Sequence, residues 1–147
     1  MSSENLKDGF EMVFTVGDYY DGPRKGIANY QSKPHFYECV FDDEKQNYSD
    51  TFRLTPLDQK NFELAMEAWE IWGRWKIAFR TGKTTIDTHP ALPHEAARYS
   101  QLQKILEPLL ITDVRKAIVR TGYFEPRQGP APPKGVMRPL QVKWVEG

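Results

Sequence analysis

Cysteine occurs once, as Cys39, which excludes an internal disulfide and sets the chain apart from small secreted scaffolds held together by them. Net charge is missing too: 20 Lys and Arg balance 20 Asp and Glu, so no global field draws the chain towards DNA, RNA or anionic lipid. No stretch approaches the ~20 apolar residues of a membrane-spanning helix. Ser2, Ser3, Glu4, Asn5 and Lys7 contain no apolar run of signal-peptide type, so a reducing, cytoplasmic setting without membrane contact is expected. Phosphate loops of the GxxxxGK(S/T) kind, GxGxxG turns and GxSxG elbows are all absent. His35, Cys39, His89 and His94 are admissible zinc ligands, but their spacing matches no metal pattern, and neither a metal nor a cofactor is expected.

Aromatic residues are plentiful. Phe14, Tyr19, Tyr20, Tyr30, Phe36, Tyr37, Phe41, Tyr48 and Phe52 fall between Phe10 and Leu57, with the alternation of strands. After a flexible polar arm (1–9), residues 10–55 read as an aromatic β-meander: Met12 to Val16, Ile27 to Tyr30, His35 to Asp42 and Thr51 to Thr55. Residues 17–26, rich in glycine, read as a loop, Gln31 to Pro34 as a hairpin connection without the favoured Asn-Gly pair, and Asp42 to Asp50 as a polar turn. Thr55 as cap, Pro56 at the first helical position and Asp58 reaching back predict an amphipathic helix over 56–82, ended by Gly82. Its apolar face, with Trp69, Trp72 and Trp75, is wide enough to lie between two layers or to leave Trp surface for a partner. A second helix is expected over 93–107, with Ala96, Tyr99, Leu102, Ile105 and Leu106 inward. The C-terminal strands occupy 114–146 around a Pro-rich loop, 129–135; Val114 to Phe124 reads as strand or helix, its β-branched residues favouring strand.

At this length one domain, 1–147, is expected, burying roughly 70% of its unfolded surface. The order of elements predicts an α+β fold: a small antiparallel or mixed sheet, or a partly open barrel of about six strands, covered by one long Trp-rich helix and a shorter one.

Three classes of function compete. The favoured one is a soluble, non-catalytic binding or adaptor protein presenting an aromatic groove and Gly-rich loop to a protein or peptide. Tyr19, Tyr20, Arg24, Tyr37 and Trp75 are its expected contacts, Trp75 at a groove edge and Trp69 and Trp72 in the core. An exposed aromatic face would serve a homo-oligomer equally well. The second class is an enzyme or small-ligand binder acting on an anionic compound, phosphorylated compounds among them. There Arg24 and Lys25 hold the anion, His35 is acid or base, and Asp18 or Asp21 orients it. Alternation separates His35 from Glu38, so those two form no pair within the strand. Cys39 has no cation beside it in sequence and reads as a buried hydrophobe with an unactivated thiol. Single-stranded nucleic acid is the weakest reading: Arg115, Lys116, Arg120, Arg127, Lys134, Arg138 and Lys143 make the C-terminal third basic, but no RNP or cold-shock signature accompanies them.

Overall fold

The computed structural model describes residues 6–132 and 138–146. Residues 1–5 of the arm, Pro133, Lys134 and Gly135 of the Pro-rich loop, and Met137 lie outside the described residues. Among the described residues six strands form: β1 (Glu11–Tyr19), β2 (Pro23–Tyr30), β3 (Lys33–Asp42), β4 (Asn47–Pro56), β5 (Ile118–Pro126) and β6 (Leu140–Val145). Each pairs antiparallel with its sequence neighbours, and β6 returns to β1, closing a barrel with no free edge. Two helices, α1 (Gln59–Arg80) and α2 (Ala96–Leu106), complete an α+β fold. The chain divides into two compact units, the barrel and a helical unit built on residues 59–110.

Inside the barrel, Ala28, Tyr37, Cys39, Phe52, Leu54 and Val142 form one buried cluster with Val13 and Val16. Val13 and Val16 are three residues apart, and a bulge reconciles them with a two-residue repeat: Val13 pairs with Ala28 but Thr15 with Ile27, leaving Phe14 as the extra residue. Tyr37 is fully buried, with ring centroids 5.9 Å from Phe52, 5.3 Å from Phe124 and 6.1 Å from Trp144. Its hydroxyl donates to the Thr15 carbonyl at 3.0 Å, and burial pushes its pKa far above the usual phenol value.

Two glycines make this packing possible. A Cβ on Gly26 would stand 2.2 Å from the Thr15 carbonyl oxygen and 2.7 Å from the Tyr37 hydroxyl. On Gly122 it would stand 2.6 Å from the Trp144 ring and 3.0 Å from Phe52. The β1–β6 seam is short, with Glu11 opposite Val142 and Met12 opposite Gln141. Gln141, fully buried, reinforces it by accepting the Lys7 backbone N–H at 2.9 Å and donating to Glu125 at 2.9 Å. Lys7 Nζ is 2.9 Å from the same Glu125 oxygen, and that bond holds the Glu125 carboxyl below its usual pKa.

Several boundaries differ from the sequence reading. The expected loop 17–26 shrinks to Tyr20–Gly22, because Gly17 and Gly26 are extended members of the strands. The β2–β3 hairpin turns on two residues, Gln31 (φ 52°) and Ser32 (φ 65°), rather than four. Left-handed backbone is costly for such residues, and here the Glu11 carboxylate offsets it by accepting both turn N–H groups, at 2.9 and 2.8 Å. Thr55 and Pro56 stay in β4, where the Thr55 hydroxyl accepts the Asp113 N–H, so the helix starts at Gln59. At its other end Gly82 (φ 78°) closes α1 as expected, with Gly82 N–H on Phe79 and Lys83 N–H on Ala78. Val114–Lys116 is a turn anchored on Asp113, and the strand begins only at Ile118.

In the helical unit the core face of α1 is Ala65, Ala68, Ile71 and Trp75, and α2 buries Leu102 and Leu106 while Ala96 and Ile105 face outward. Trp69 and Trp72 are half-buried, reversing the expected roles of the three tryptophans. Two exposed ion pairs tie the helices: Arg98 Nε to Glu67 at 2.6 Å, and Arg74 Nε to Glu95 at 2.9 Å. The guanidinium hydrogen bonds are the main reason both carboxyls sit below their usual pKa.

Gly122→Ala should destabilise the barrel by about 1–3 kcal/mol in urea unfolding, because Trp144 and Phe52 cannot both retreat. The depressed Glu67 and Glu95 pKa values mean that their contribution is present above the usual carboxyl range and lost as pH falls through the folded-state values. Arg98→Ala should therefore lower the Tm slightly near neutral pH, the pair being exposed and screened by solvent. That difference should vanish once Glu67 is protonated, as read from Tm against pH.

Candidate interaction surface

The β1–β2 and β3–β4 hairpins bring their tips together around one arginine. In the first, Tyr20 N–H bonds the Gly22 carbonyl at 2.9 Å, with Asp21 (φ 55°) at the turn. Arg24 folds back over this turn, Nε donating to the Tyr20 carbonyl at 2.7 Å and Nη2 to the Asp21 carbonyl at 2.8 Å. Its guanidinium also lies 4.6 Å from the ring centroid of Tyr48, on the second hairpin, in cation–π range. Tyr48 in turn meets Phe41 edge-on at 5.2 Å and Tyr20 at 6.3 Å. The second tip is fixed by Asp42, whose Oδ1 accepts the N–H groups of Glu44 and Lys45 at 3.0 and 3.2 Å.

The result is an aromatic surface held from below. Tyr19 is 61% exposed, Tyr20 67% and Phe41 45%, whereas Arg24 spends Nε and Nη2 on the Tyr20 and Asp21 carbonyls of the first tip. Arg24 Nη1 also approaches Cys39 Sγ at 3.6 Å, supplying the neighbouring cation that the sequence did not reveal. Burial nevertheless prevails over Arg24 and raises the thiol pKa, and Sγ donates to the Ser49 carbonyl at 3.0 Å. The unactivated thiol is thus a consequence of desolvation.

Of the expected contact residues, Tyr20 and Arg24 come together here through Tyr48, while Tyr19, paired with Pro23, is exposed on the same hairpin. Tyr37 and Trp75 do not belong to any surface. Tyr37 fills the barrel, and Trp75 is 5% exposed, stacked on Phe79 at 5.0 Å, with its indole N–H on Thr88 at 2.8 Å and the His89 ring edge-on at 4.6 Å. Phe41 and Tyr48 are the members that sequence reasoning missed. Treating all of 42–50 as a turn hid Tyr48, which resumes the strand opposite Phe41.

The groups of the anion-binding enzyme reading are not assembled. Arg24 and Lys25 are strand neighbours that point to opposite faces, Arg24 towards Cys39 and Lys25 outward between Asp18 and Glu38. His35 pairs with Ala28 and Asp18 with Lys25, three residues further along β2, a separation of about 10 Å along the strand. Asp21 is further still, at the tip, and His35 Nδ1 is bonded to the Lys33 carbonyl at 2.8 Å. Glu38 is engaged on the outer face by the Thr112 hydroxyl. Among the described residues, no three His, Cys, Asp or Glu side chains are grouped to hold a metal, and no helix is long and apolar enough to cross a membrane.

These features define an α+β chain with a closed six-stranded barrel whose hairpin tips carry an exposed aromatic cluster. No family model, curated protein or solved structure matches it.

Arg24→Ala should leave the barrel folded but release the first tip. Amide hydrogen exchange at Tyr20 should accelerate by about tenfold or more, corresponding to about 1.4 kcal/mol or more of lost local protection.

Proposed function

We propose that the protein is a non-catalytic interaction module that takes a protein or peptide partner on the aromatic end of its barrel. The observation that carries this reading is the standing exposure of Tyr20 and Phe41 against an Arg24–Tyr48 bracket that is already satisfied internally, with Tyr19 exposed on the same hairpin. Large aromatic side chains that lose little freedom on binding are the usual centre of protein interfaces, and here their ordering cost is met in part by the fold. Arg24 acts as the support of the surface, and Tyr19, Tyr20, Phe41 and Tyr48 supply the contact area. The enzymatic alternative draws no support from the separation of His35 from Asp18 and Asp21 along the strands.

A partner recovered from native lysate by the wild-type chain should bind the Tyr20→Ala/Phe41→Ala variant at least tenfold more weakly, a loss of about 1.4 kcal/mol or more. Val119→Ala, at an exposed position of β5, should bind normally. Equal binding by all three proteins would overturn the assignment. Retention on oligonucleotides that falls steeply with salt would instead support nucleic acid.

A further inference from the structure

On the inward face of β5, Ile118, Gly122 and Phe124 line the lumen and Arg120 interrupts them, directly opposite Phe52 of β4. A permanent cation on such a face needs partners. Arg120 Nε donates to the Tyr30 hydroxyl at 3.2 Å, and the guanidinium lies 5.4 Å from the Tyr30 ring centroid. Nη1 donates to the Val119 carbonyl at 2.8 Å. These contacts hold the guanidinium at the end of the barrel where β2 and β6 finish. Beside it the Tyr30 ring meets His35 edge-on at 5.4 Å, and Trp144 donates its indole N–H to the Asn29 carbonyl at 2.9 Å. Because the Lys33 carbonyl can only accept, His35 carries its proton on Nδ1 and leaves Nε2 as the second ring nitrogen.

The remaining contact is of another kind. Arg120 Nη2 is 3.3 Å from one oxygen of Glu146, which continues the inward row of Val142 and Trp144 past the end of β6. The Arg120 side chain is 20% exposed and that of Glu146 85%. The cation is therefore held by the barrel, while its carboxylate is held by one long bond in solvent, a pairing worth little by itself. A guanidinium has five N–H donors. Three contacts leave donors open to an acceptor that offers two oxygens, the geometry in which arginine and carboxylate bind best.

We infer that this mouth of the barrel is a carboxylate-binding site anchored by Arg120, and that Glu146 occupies it from within the chain. An incoming carboxylate displaces Glu146, keeps the Tyr30 and Val119 bonds intact and replaces a single contact with a paired one. The site is separate from the aromatic hairpin tips, and its validity does not depend on theirs.

Succinate titrations at constant ionic strength, followed by NMR at the Arg120 Nε–H and the Tyr30 ring, test the inference on the whole chain. Glu146→Gln should tighten the apparent Kd for succinate at least fivefold. Arg120→Lys in that background keeps the charge but loses the planar fork, and should weaken binding at least tenfold. An unchanged amide spectrum outside the mouth establishes that both variants are folded, and Glu146→Gln alone carries the test should the lysine variant not fold. Equal Kd with and without Glu146, no succinate response in either protein, or binding indifferent to Arg120→Lys would overturn the assignment.

Discussion

A single hydrogen bond in the lumen, from the Tyr37 hydroxyl to the Thr15 carbonyl, constrains the whole barrel. A phenol at the centre of an apolar core must find an acceptor, since a buried unsatisfied polar group costs about 1–3 kcal/mol. Thr15 provides one beside the bulge at Phe14, and its hydroxyl accepts the Ile27 N–H at 2.9 Å, fixing the same residue from its other side. Gly26 is then required, because a side chain there would occupy the space of both partners. With Tyr37 so placed, Phe52, Phe124 and Trp144 close around its ring, and Gly122 yields the volume that Trp144 needs. Tertiary packing thus dictates two glycines, one bulge and the inward register of neighbouring strands.

The two ends of the lumen depend on arginine in the same way but finish differently. At the hairpin tips, Arg24 places its donors on the Tyr20 and Asp21 carbonyls and its face on Tyr48, which leaves the aromatic rings as the outward surface. At the other mouth, Arg120 places two of its nitrogens on Tyr30 and Val119 and presents the remainder to an exposed carboxylate. On the proposed reading the first arrangement takes a partner surface and the second a small charged group. Both follow from the cost of leaving a guanidinium unpaired beside an apolar core.

Much of this was legible in the chain. Alternation through His35–Phe41 separated His35 from Glu38, and 114–146 was marked for the last strands. Gly82 marked the end of α1 because its requirement is local. Gly26 misled because a glycine needed for close approach looks the same in sequence as one needed for a turn. Gln31-Ser32 hid a tight turn whose support comes from Glu11, twenty residues away. Trp75 was misplaced because periodicity finds the apolar face of a helix but not which part of it Thr88 and His89 will cover. Arg120 was visible as one of the charges that make the C-terminal third basic, yet its weight depends on Tyr30, which only the closed barrel brings across.

Alkaline titration of the seven tyrosines, followed by absorbance of the phenolate, bears most directly on the role of Tyr37. If its hydroxyl is held in the dry lumen, the Tyr37→Phe protein will show the same native-state phenolate amplitude as the wild type, and Tyr37 will ionise only as the chain unfolds. A smaller native-state amplitude in Tyr37→Phe would show that Tyr37 titrates in the folded barrel, and would contradict the account.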